Sequence, residues 1–319
     1  MNTTTRLVLL ILFALLFMLA GALYYFFRMA HVRKPLVLET MGHNSPIWQR
    51  YKKMMDDGCA WLKTQKTEDL FITSYDGLKL HGLYIPAENP KACVILFHGF
   101  RSSGPQDFGA LLPFYNKSGF STLLIDQRAC GESEGKYITF GVKERQDALS
   151  WAQYIDQRFV GSLPIVLHGL SLGGATVMMS ADLPFPKSVV GLISDCGFTS
   201  PYGIIAHCAK QWFKLPAFPM VDLLSATAKL FAGFGYKDCS TLDTLANSPL
   251  PLFLIHGAKD TFVPAYMSAK NAMAAKNCRG KLIVPEAGHA TSYVMDTAHY
   301  EQELLAYLSG ILQRDTPAL

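Results

Sequence analysis

The chain begins with one uninterrupted apolar run. Residues 7–27 carry no charged side chain, and Arg6 and Arg28 bracket them. As a helix, this run is long enough to cross about 30 Å of hydrocarbon. Aromatic residues 24–27 close the run, and basic residues follow at once, as is typical of a helix end at a membrane interface. The pattern predicts a single-pass membrane anchor over residues 7–27.

Two other interpretations of the apolar run remain open. Ala20-Gly21-Ala22 fits the small-residue cleavage site of a secretory signal peptide, although the apolar stretch continues past it. A buried helix of a soluble protein is the second alternative. Slightly more basic residues follow the run than precede it. This difference weakly favours a cytoplasmic location for the carboxyl-terminal part, and the orientation stays open.

From residue 68 onward, short apolar runs alternate with longer amphipathic stretches. This alternation predicts an α/β domain over residues 68–314, with a mostly parallel twisted sheet and helices on both faces. Residues 28–67 are expected to form a helical stalk or linker. Asp76-Gly77 predicts the turn of an opening hairpin. The predicted strands comprise residues 70–73, 78–84, 93–97, 122–125, 165–167, 189–193, 252–255 and 282–284.

Two stretches between the predicted strands have distinctive patterns of apolar residues. Residues 142–154 place apolar side chains at helical spacing and predict a surface helix over the sheet. Residues 200–238 are unusually rich in large apolar and aromatic side chains. This second segment is either a cap over a functional site or an ordinary insertion that packs on the core.

Ser171 is the first candidate catalytic residue. The sequence Gly169-Leu170-Ser171-Leu172-Gly173 follows a predicted strand and precedes a helix-compatible run. A serine at the tip of such a strained turn needs small residues on either side, because the flanking backbones approach closely. This context predicts a nucleophilic serine rather than a structural glycine-rich turn.

A serine hydroxyl needs a base and an orienting carboxylate to act as a nucleophile. Asp260 follows the predicted strand 252–255, and His289 follows the strand 282–284. Loops at the carboxyl ends of parallel strands converge at one edge of an open sheet. We therefore expect Ser171, Asp260 and His289 to form a catalytic triad.

These motifs resemble those of the α/β-hydrolase superfamily, over about residues 69–312. His98-Gly99-Phe100 is similar to the oxyanion turn of that superfamily, which implies that the amides of Phe100 and Leu172 form an oxyanion hole. Residues 126–133 resemble its D-x-R-G-x-G-x-S segment, with Ala129 in place of a glycine. Residues 195–198 resemble the branch of dienelactone hydrolases, prolyl-oligopeptidase-like enzymes and serine aminopeptidase-like hydrolases.

Several residues near these motifs have competing interpretations. Asp195 is the alternative triad acid, although the turn at 256–260 matches the usual acid-bearing turn better. His98 is expected to be a hydrogen-bonded structural histidine. Asp126 and Arg128 are expected to form ion pairs or cap a turn rather than take part in catalysis.

Composition narrows the class of protein. Of the 319 residues, 50% are hydrophobic and 17% are charged, which excludes a disordered or coiled-coil chain. The net charge of +4 is too small to indicate a nucleic-acid partner. The seven scattered cysteines include no CxxC pair and indicate neither a zinc site nor a disulfide framework. We expect no metal and no organic cofactor.

Together these features predict a membrane-anchored serine hydrolase that cleaves carboxylic esters of a small or lipid-like acyl substrate. A serine peptidase is the alternative enzyme. A membrane-tethered binding protein without catalytic activity is the alternative of another class. The oligomeric state stays open.

Overall fold

The computed structural model describes residues 2–34 and 46–313. The strands are β1 (Glu68–Thr73), β2 (Lys79–Ile85), β3 (Ala92–Phe97), β4 (Phe120–Ile125), β5 (Ile165–Leu170), β6 (Val189–Asp195), β7 (Leu252–Gly257) and β8 (Cys278–Val284). The helices are α1 (Thr3–His31), α2 (Pro46–Leu62), α3 (Gly104–Phe108), α4 (Leu112–Lys117), α5 (Glu144–Arg158), α6 (Leu172–Met179), α7 (Pro201–Phe213), α8 (Met220–Ala232), α9 (Thr241–Asn247), α10 (Ala265–Ala274), α11 (Ser292–Met295) and α12 (Thr297–Leu312).

All eight strands form one sheet in the order β1-β2-β4-β3-β5-β6-β7-β8. β2 pairs antiparallel with β1 and β4, and the remaining pairs are parallel. The hairpin turns at Gly77, whose amide donates to the Ser74 carbonyl. The predicted α/β fold with a mostly parallel sheet is confirmed, and every predicted strand is present.

The central strands are buried on both faces. Every residue of β3, β4, β5, β6 and β7 is buried. One apolar cluster packs α12 and α4 on one face of the sheet, and a second packs α5 on the other. Continuous apolar runs in the sequence therefore correspond to strands covered by helices on both sides.

The segment after β4 contains a buried ion cluster. The Arg128 guanidinium donates to the Asp147 carboxylate at 2.6 and 2.7 Å and to the Asp76 carboxylate at 2.9 and 3.1 Å. The cluster joins this loop to α5 and to the β1–β2 turn. The expectation of an ion pair at Arg128 is confirmed. Asp126 instead accepts hydrogen bonds from His81 and from the Glu132 amide.

Helix α5 begins two residues later than predicted and ends four residues later. The Glu144 carboxylate accepts from the amides of Thr139 and Gly141 and from the Thr139 hydroxyl. Because these bonds hold the preceding loop in a turn, the helix begins at Glu144 itself.

Helix α1 contains one long exposed part. Among the described residues, α1 is the one helix that is both long enough and apolar enough to span a membrane. Its most apolar stretch of 18 residues is fully exposed. Beyond Ala22 the helix meets the domain, and Phe27 and His31 are buried.

The segment predicted as a stalk, residues 28–67, contains α2, which packs on α3, α4 and α11. Gly58 lies so close to the Gly109 carbonyl that a Cβ there would approach it within 2.1 Å.

Replacement of Arg128 by methionine should strongly destabilise the fold. Asp147 would stay buried without its cation, and loss of one partner of a buried pair costs about 3–5 kcal/mol. The matched control is Arg158→Met, because Arg158 pairs with Glu68 on the surface, where such pairs contribute about 1 kcal/mol or less. Urea unfolding in detergent measures both losses, and equal losses would contradict a structural role for the buried cluster.

Candidate active site

Ser171 lies at the tip of the sharp turn between β5 and α6. Its backbone has φ 55° and ψ −112°, in a region that residues with a side chain rarely adopt. The Ser171 amide donates to the Asp195 carbonyl at 2.8 Å, and the Ser171 carbonyl accepts from the Ala175 amide at 2.9 Å. Bonds on both sides therefore hold the strained serine in place.

The glycines around Ser171 allow two backbone segments to touch. A Cβ on Gly173 would lie 1.8 Å from the Phe97 carbonyl oxygen at the end of β3. A Cβ on Gly169 would lie 2.1 Å from the Gly173 carbonyl. Neither contact can be relieved by moving a side chain, so both positions require glycine.

The structure brings Ser171, His289 and Asp260 together, as the sequence predicts. His289 Nε2 lies 2.9 Å from the Ser171 hydroxyl, and His289 Nδ1 lies 2.7 Å from Asp260 Oδ2. Since an ionised carboxylate only accepts, Nδ1 carries the proton and Nε2 is free to accept from the serine. This is the geometry of a nucleophile, a base and an orienting group.

Asp260 is held in its ionised form. Its second oxygen, Oδ1, accepts from the amides of Phe262 and Val263 at 2.9 and 2.8 Å. Burial alone would raise the pKa of Asp260, but hydrogen bonds from His256 and His289 outweigh burial and lower the pKa to about 2. The carboxylate therefore stays charged beside the imidazole near neutral pH.

Asp195, the alternative acid, faces another part of the core. Its Oδ2 accepts from the Tyr300 hydroxyl at 3.1 Å, and burial raises its pKa to about 6. Its backbone carbonyl, by contrast, binds the Ser171 amide. Asp195 thus supports the serine turn, and Asp260 is the carboxylate that contacts His289.

The two residues of the predicted oxyanion hole both border the cavity that contains Ser171. Leu172 is the first residue of α6, so its amide is one of those that a helix leaves without an internal partner. Phe100 follows Gly99 in the loop after β3. The structure places both residues beside the serine, and their role in catalysis stays a prediction.

Sequence reasoning missed Asp107, which holds the loop that carries Phe100. Its carboxylate accepts from the Gly99 amide at 2.6 Å and from the Ser102 hydroxyl at 2.5 Å. Burial raises its pKa. The Ser-x-x-x-x-Asp spacing in this loop was the only available signal, and it is too common to identify such a contact. His98 has the expected structural role: Nδ1 bonds the Gly99 carbonyl, and Nε2 accepts from the Gln127 amide.

Comparisons with known proteins identify the family and the fold. The alpha/beta hydrolase family matches residues 94–303. The uncharacterized protein YqkD of Bacillus subtilis is 21% identical over 272 residues, which cover 82% of this chain and 89% of YqkD. The solved structure of the esterase Pf2001 from Pyrococcus furiosus has a TM-score of 0.65 at 23% identity, over 88% of this chain and 98% of the esterase. The acylaminoacyl peptidase of Pyrococcus horikoshii has a TM-score of 0.57 at 16% identity, over 82% of this chain and 45% of the peptidase.

The chain belongs to the α/β-hydrolase family. The expected resemblance is thereby confirmed for the fold and the superfamily. The similarity to the two solved structures concerns the fold, because sequence identity to each is low.

In this α/β-hydrolase, Ser171 opens into an apolar cavity of about 300 Å³. Residues 200–238, named the cap below, supply helices α7 and α8 to its wall, with Trp212 and Met220 among the side chains. Phe140 and Phe262 contribute from the loops of the sheet edge. Phe262 also packs edge-on against the His289 ring, with 4.7 Å between centroids. Ser171 thus lines a mostly apolar cavity, and Phe262 joins the cavity wall to His289.

One group of side chains within residues 2–34 and 46–313 has donor atoms close enough to hold a metal ion. These are Cys196, Asp260 and His289, whose donor atoms lie within 4.8 Å of one another. Burial raises the pKa of the Cys196 thiol well above its usual value, so the thiol stays protonated. A metal there would also withdraw His289 from Ser171, and the arrangement therefore fits a serine site better than a metal centre.

Acid should remove a stabilising contribution of Asp260. Because its pKa falls from 3.8 to about 2 on folding, the contribution is complete above pH 3.8 and is lost as the pH falls through 2. It amounts to about 2 kcal/mol, at roughly 1.36 kcal/mol per pKa unit. We expect the free energy of unfolding to fall less steeply with acid in Asp260→Asn than in the unmodified chain.

Urea titrations at several pH values across this window measure that difference. Asp56→Asn, which removes an exposed carboxylate of α2, controls for the loss of one negative charge. If the free energy of unfolding of Asp260→Asn fell with acid as steeply as that of the unmodified chain, the lowered pKa of Asp260 would be contradicted.

Proposed function

We propose that this chain is a membrane-anchored serine hydrolase that cleaves carboxylic ester bonds of acyl substrates. The observation that carries the proposal is the hydrogen-bonded series Ser171–His289–Asp260, whose serine lines an apolar cavity. The same triad on the same fold can cleave different acyl bonds, so the substrate class is argued from the cavity.

The reaction takes two steps. His289 Nε2 accepts the hydroxyl proton as Ser171 attacks the ester carbonyl, and Asp260 stabilises the resulting imidazolium. The amides of Phe100 and Leu172 stabilise the oxyanion, at about 3 kcal/mol for each donor. His289 then protonates the leaving alcohol, which departs from the acyl-enzyme. Water activated by the same imidazole attacks the acyl-enzyme, and the acid and free Ser171 are released.

The cavity favours an acyl group over a cationic substrate, because the charged side chain among the described residues of its wall is that of Arg101. Its wall is mostly aliphatic and aromatic, and the described residues that form it include no acidic side chain. A pocket of this kind binds an alkyl chain by removing apolar surface from water. The Pyrococcus furiosus protein of similar fold is an esterase by its own description.

A peptidase is the second candidate, supported by the similarity in fold to the Pyrococcus horikoshii acylaminoacyl peptidase. An aminopeptidase-like reaction needs an acidic group to hold the substrate amine, and the described cavity wall lacks one. A binding protein without catalytic activity would have no need for the complete Ser171–His289–Asp260 arrangement. The ester hydrolase is therefore the function that the site supports best.

The apolar helix α1 supports anchoring in a membrane. Its most apolar window is exposed in the folded chain, where soluble proteins bury such helices. Arg28, Arg33 and Lys34 follow the apolar run, as at the interface of a spanning helix. Anchoring would keep the cavity close to lipid-derived esters.

A fluorophosphonate probe should label the full chain at Ser171 alone, as read by mass spectrometry. Ser171→Ala should lose both the label and at least about 10³-fold of ester turnover, since removal of a triad member leaves only residual catalysis. Ser180→Ala is the matched control, because Ser180 is a buried serine that ends α6 outside the site. Turnover of p-nitrophenyl esters that survives in Ser171→Ala would refute the proposal.

Matched substrates separate the two enzyme candidates. We expect faster turnover of acyl esters than of N-acyl aminoacyl amides with the same acyl group. The reverse order, with labelling of Ser171 intact, would favour the peptidase.

A further inference from the structure

The carboxyl-terminal end of α1 forms part of the active-site wall. Phe26, Met29 and Ala30 all line the cavity that contains Ser171. The Phe26 ring meets the Phe213 ring of α7 edge-on, with 5.1 Å between centroids. The apolar amino-terminal helix is therefore a structural component of the pocket as well as a candidate anchor.

Hydrogen bonds fix this end of α1 to the domain. The Arg101 guanidinium, next to Phe100 in the loop after β3, donates to the carbonyls of Met29 and Val32 at 2.7 and 3.0 Å. The Ile138 amide donates to the His31 carbonyl at 2.8 Å, and His31 Nε2 lies 2.7 Å from the Tyr236 hydroxyl. These contacts satisfy carbonyls that a helix end leaves unpaired, and they hold α1 in one position against the cavity.

The exposed part of α1 matches the thickness of a bilayer. All side chains from Thr3 to Ala22 are exposed, and Leu23 is the first that is partly covered by the domain. At about 1.5 Å per residue, roughly 20 residues cross the 30 Å of a hydrocarbon core. If the exposed part spans the membrane, the interface lies within about one helical turn of Phe26. Phe26, which lines the cavity, then lies near the surface of the bilayer.

The cap presents an apolar surface around the same point. Trp212, Phe213, Phe218, Leu230 and Phe231, named the cap face here, have exposed fractions of 42–78%. Phe213 contacts Phe26, and Phe231 contacts Tyr24 at 5.5 Å between ring centroids. The cap face is thus continuous with the apolar surface of α1. Soluble proteins seldom expose a patch of this kind unless it binds something.

We propose that the cap face lies on the lipid bilayer and that the acyl chain of the substrate enters the cavity directly from the bilayer, between α1 and the cap. This inference rests on the ester hydrolase proposed above and names its substrate class, an acyl ester embedded in a membrane. The continuity of the cap face with α1 identifies the bilayer, rather than a second protein, as the occupant of this surface.

The size of the cavity limits the acyl group. At roughly 30 Å³ for a water-sized group, about 300 Å³ accommodates on the order of ten methylene groups. This space holds one medium-length chain, or part of a longer chain whose end stays between α1 and the cap. A lipid with a single acyl chain at the reactive ester therefore fits better than a pair of chains.

The first experiment tests the cap face in the full chain, reconstituted in phosphatidylcholine vesicles. It compares turnover of monooleoylglycerol in the vesicles with turnover of water-soluble p-nitrophenyl butyrate. Phe218→Ser/Leu230→Ser should lower the ratio of the two rates at least about tenfold, since the loss of even one large apolar side chain from hydrocarbon is worth a factor of about ten or more. Val160→Ser/Met273→Ser removes two apolar side chains elsewhere that are at least as exposed, at 90% and 87%, and should leave the ratio unchanged.

A second experiment tests the α1 wall of the cavity. Phe26→Trp should shift the preferred chain length among soluble p-nitrophenyl esters to shorter acyl groups, because the larger ring takes up space in the cavity. Phe17→Trp makes the same change on the same helix, at a ring that is 73% exposed, and should keep the original preference. Equal shifts in the two variants would overturn the inference that α1 shapes the pocket.

The outcomes separate this inference from the proposed function. Absence of ester turnover and of Ser171 labelling in the folded chain would refute the hydrolase itself. Turnover that depends on Ser171, with an unchanged ratio in Phe218→Ser/Leu230→Ser, would refute only the entry of substrate from the bilayer. A mature amino terminus at Leu23, found by mass spectrometry of the protein from its native membrane fraction, would also overturn that inference.

Discussion

The site depends on one close approach of backbone to backbone. Helix α6 can direct its amino terminus at the edge of the sheet because Gly173 packs on the Phe97 carbonyl with no side chain between them. The same approach forces Ser171 into a strained conformation, which hydrogen bonds to Asp195 and Ala175 offset. An additional methyl group at Gly173 would separate α6 from β3, and the serine would lose its position relative to both His289 and the loop of Phe100.

Local sequence carried enough information to predict the sheet and the serine at the sharp turn between β5 and α6. Strands buried on both faces must be apolar throughout, so β3 to β7 stand out as short continuous runs. Ser171, Asp260 and His289 could be grouped because each follows a strand, and parallel strands end at one edge. The boundaries of α5 were less predictable, because the Glu144 side chain rather than the apolar periodicity decides where that helix begins.

Side-chain partners outside the recognised motifs could not be identified from the sequence. Asp107 supports the Gly99 loop through a hydrogen bond whose partners share no motif. Arg128 binds Asp76, which precedes it in the sequence, and Asp147, which follows it. The contact of Arg101 with the end of α1 spans about seventy residues and leaves no periodic signal. In each case a buried polar group needs a partner, but which partner it finds depends on the tertiary fold.

The cap and the reactive groups come from separate stretches of the chain. Ser171, Asp260 and His289 follow β5, β7 and β8, whereas α7 and α8 form a single insertion between β6 and β7. This insertion also contacts the loop that carries Asp260, since His207 Nε2 lies 2.9 Å from the Thr261 carbonyl and the Trp212 ring stacks on Phe262. The shape of the pocket and the position of the Asp260 loop are therefore coupled in this chain, and an exchange of residues 200–238 would have to preserve the contacts at Thr261 and Phe262.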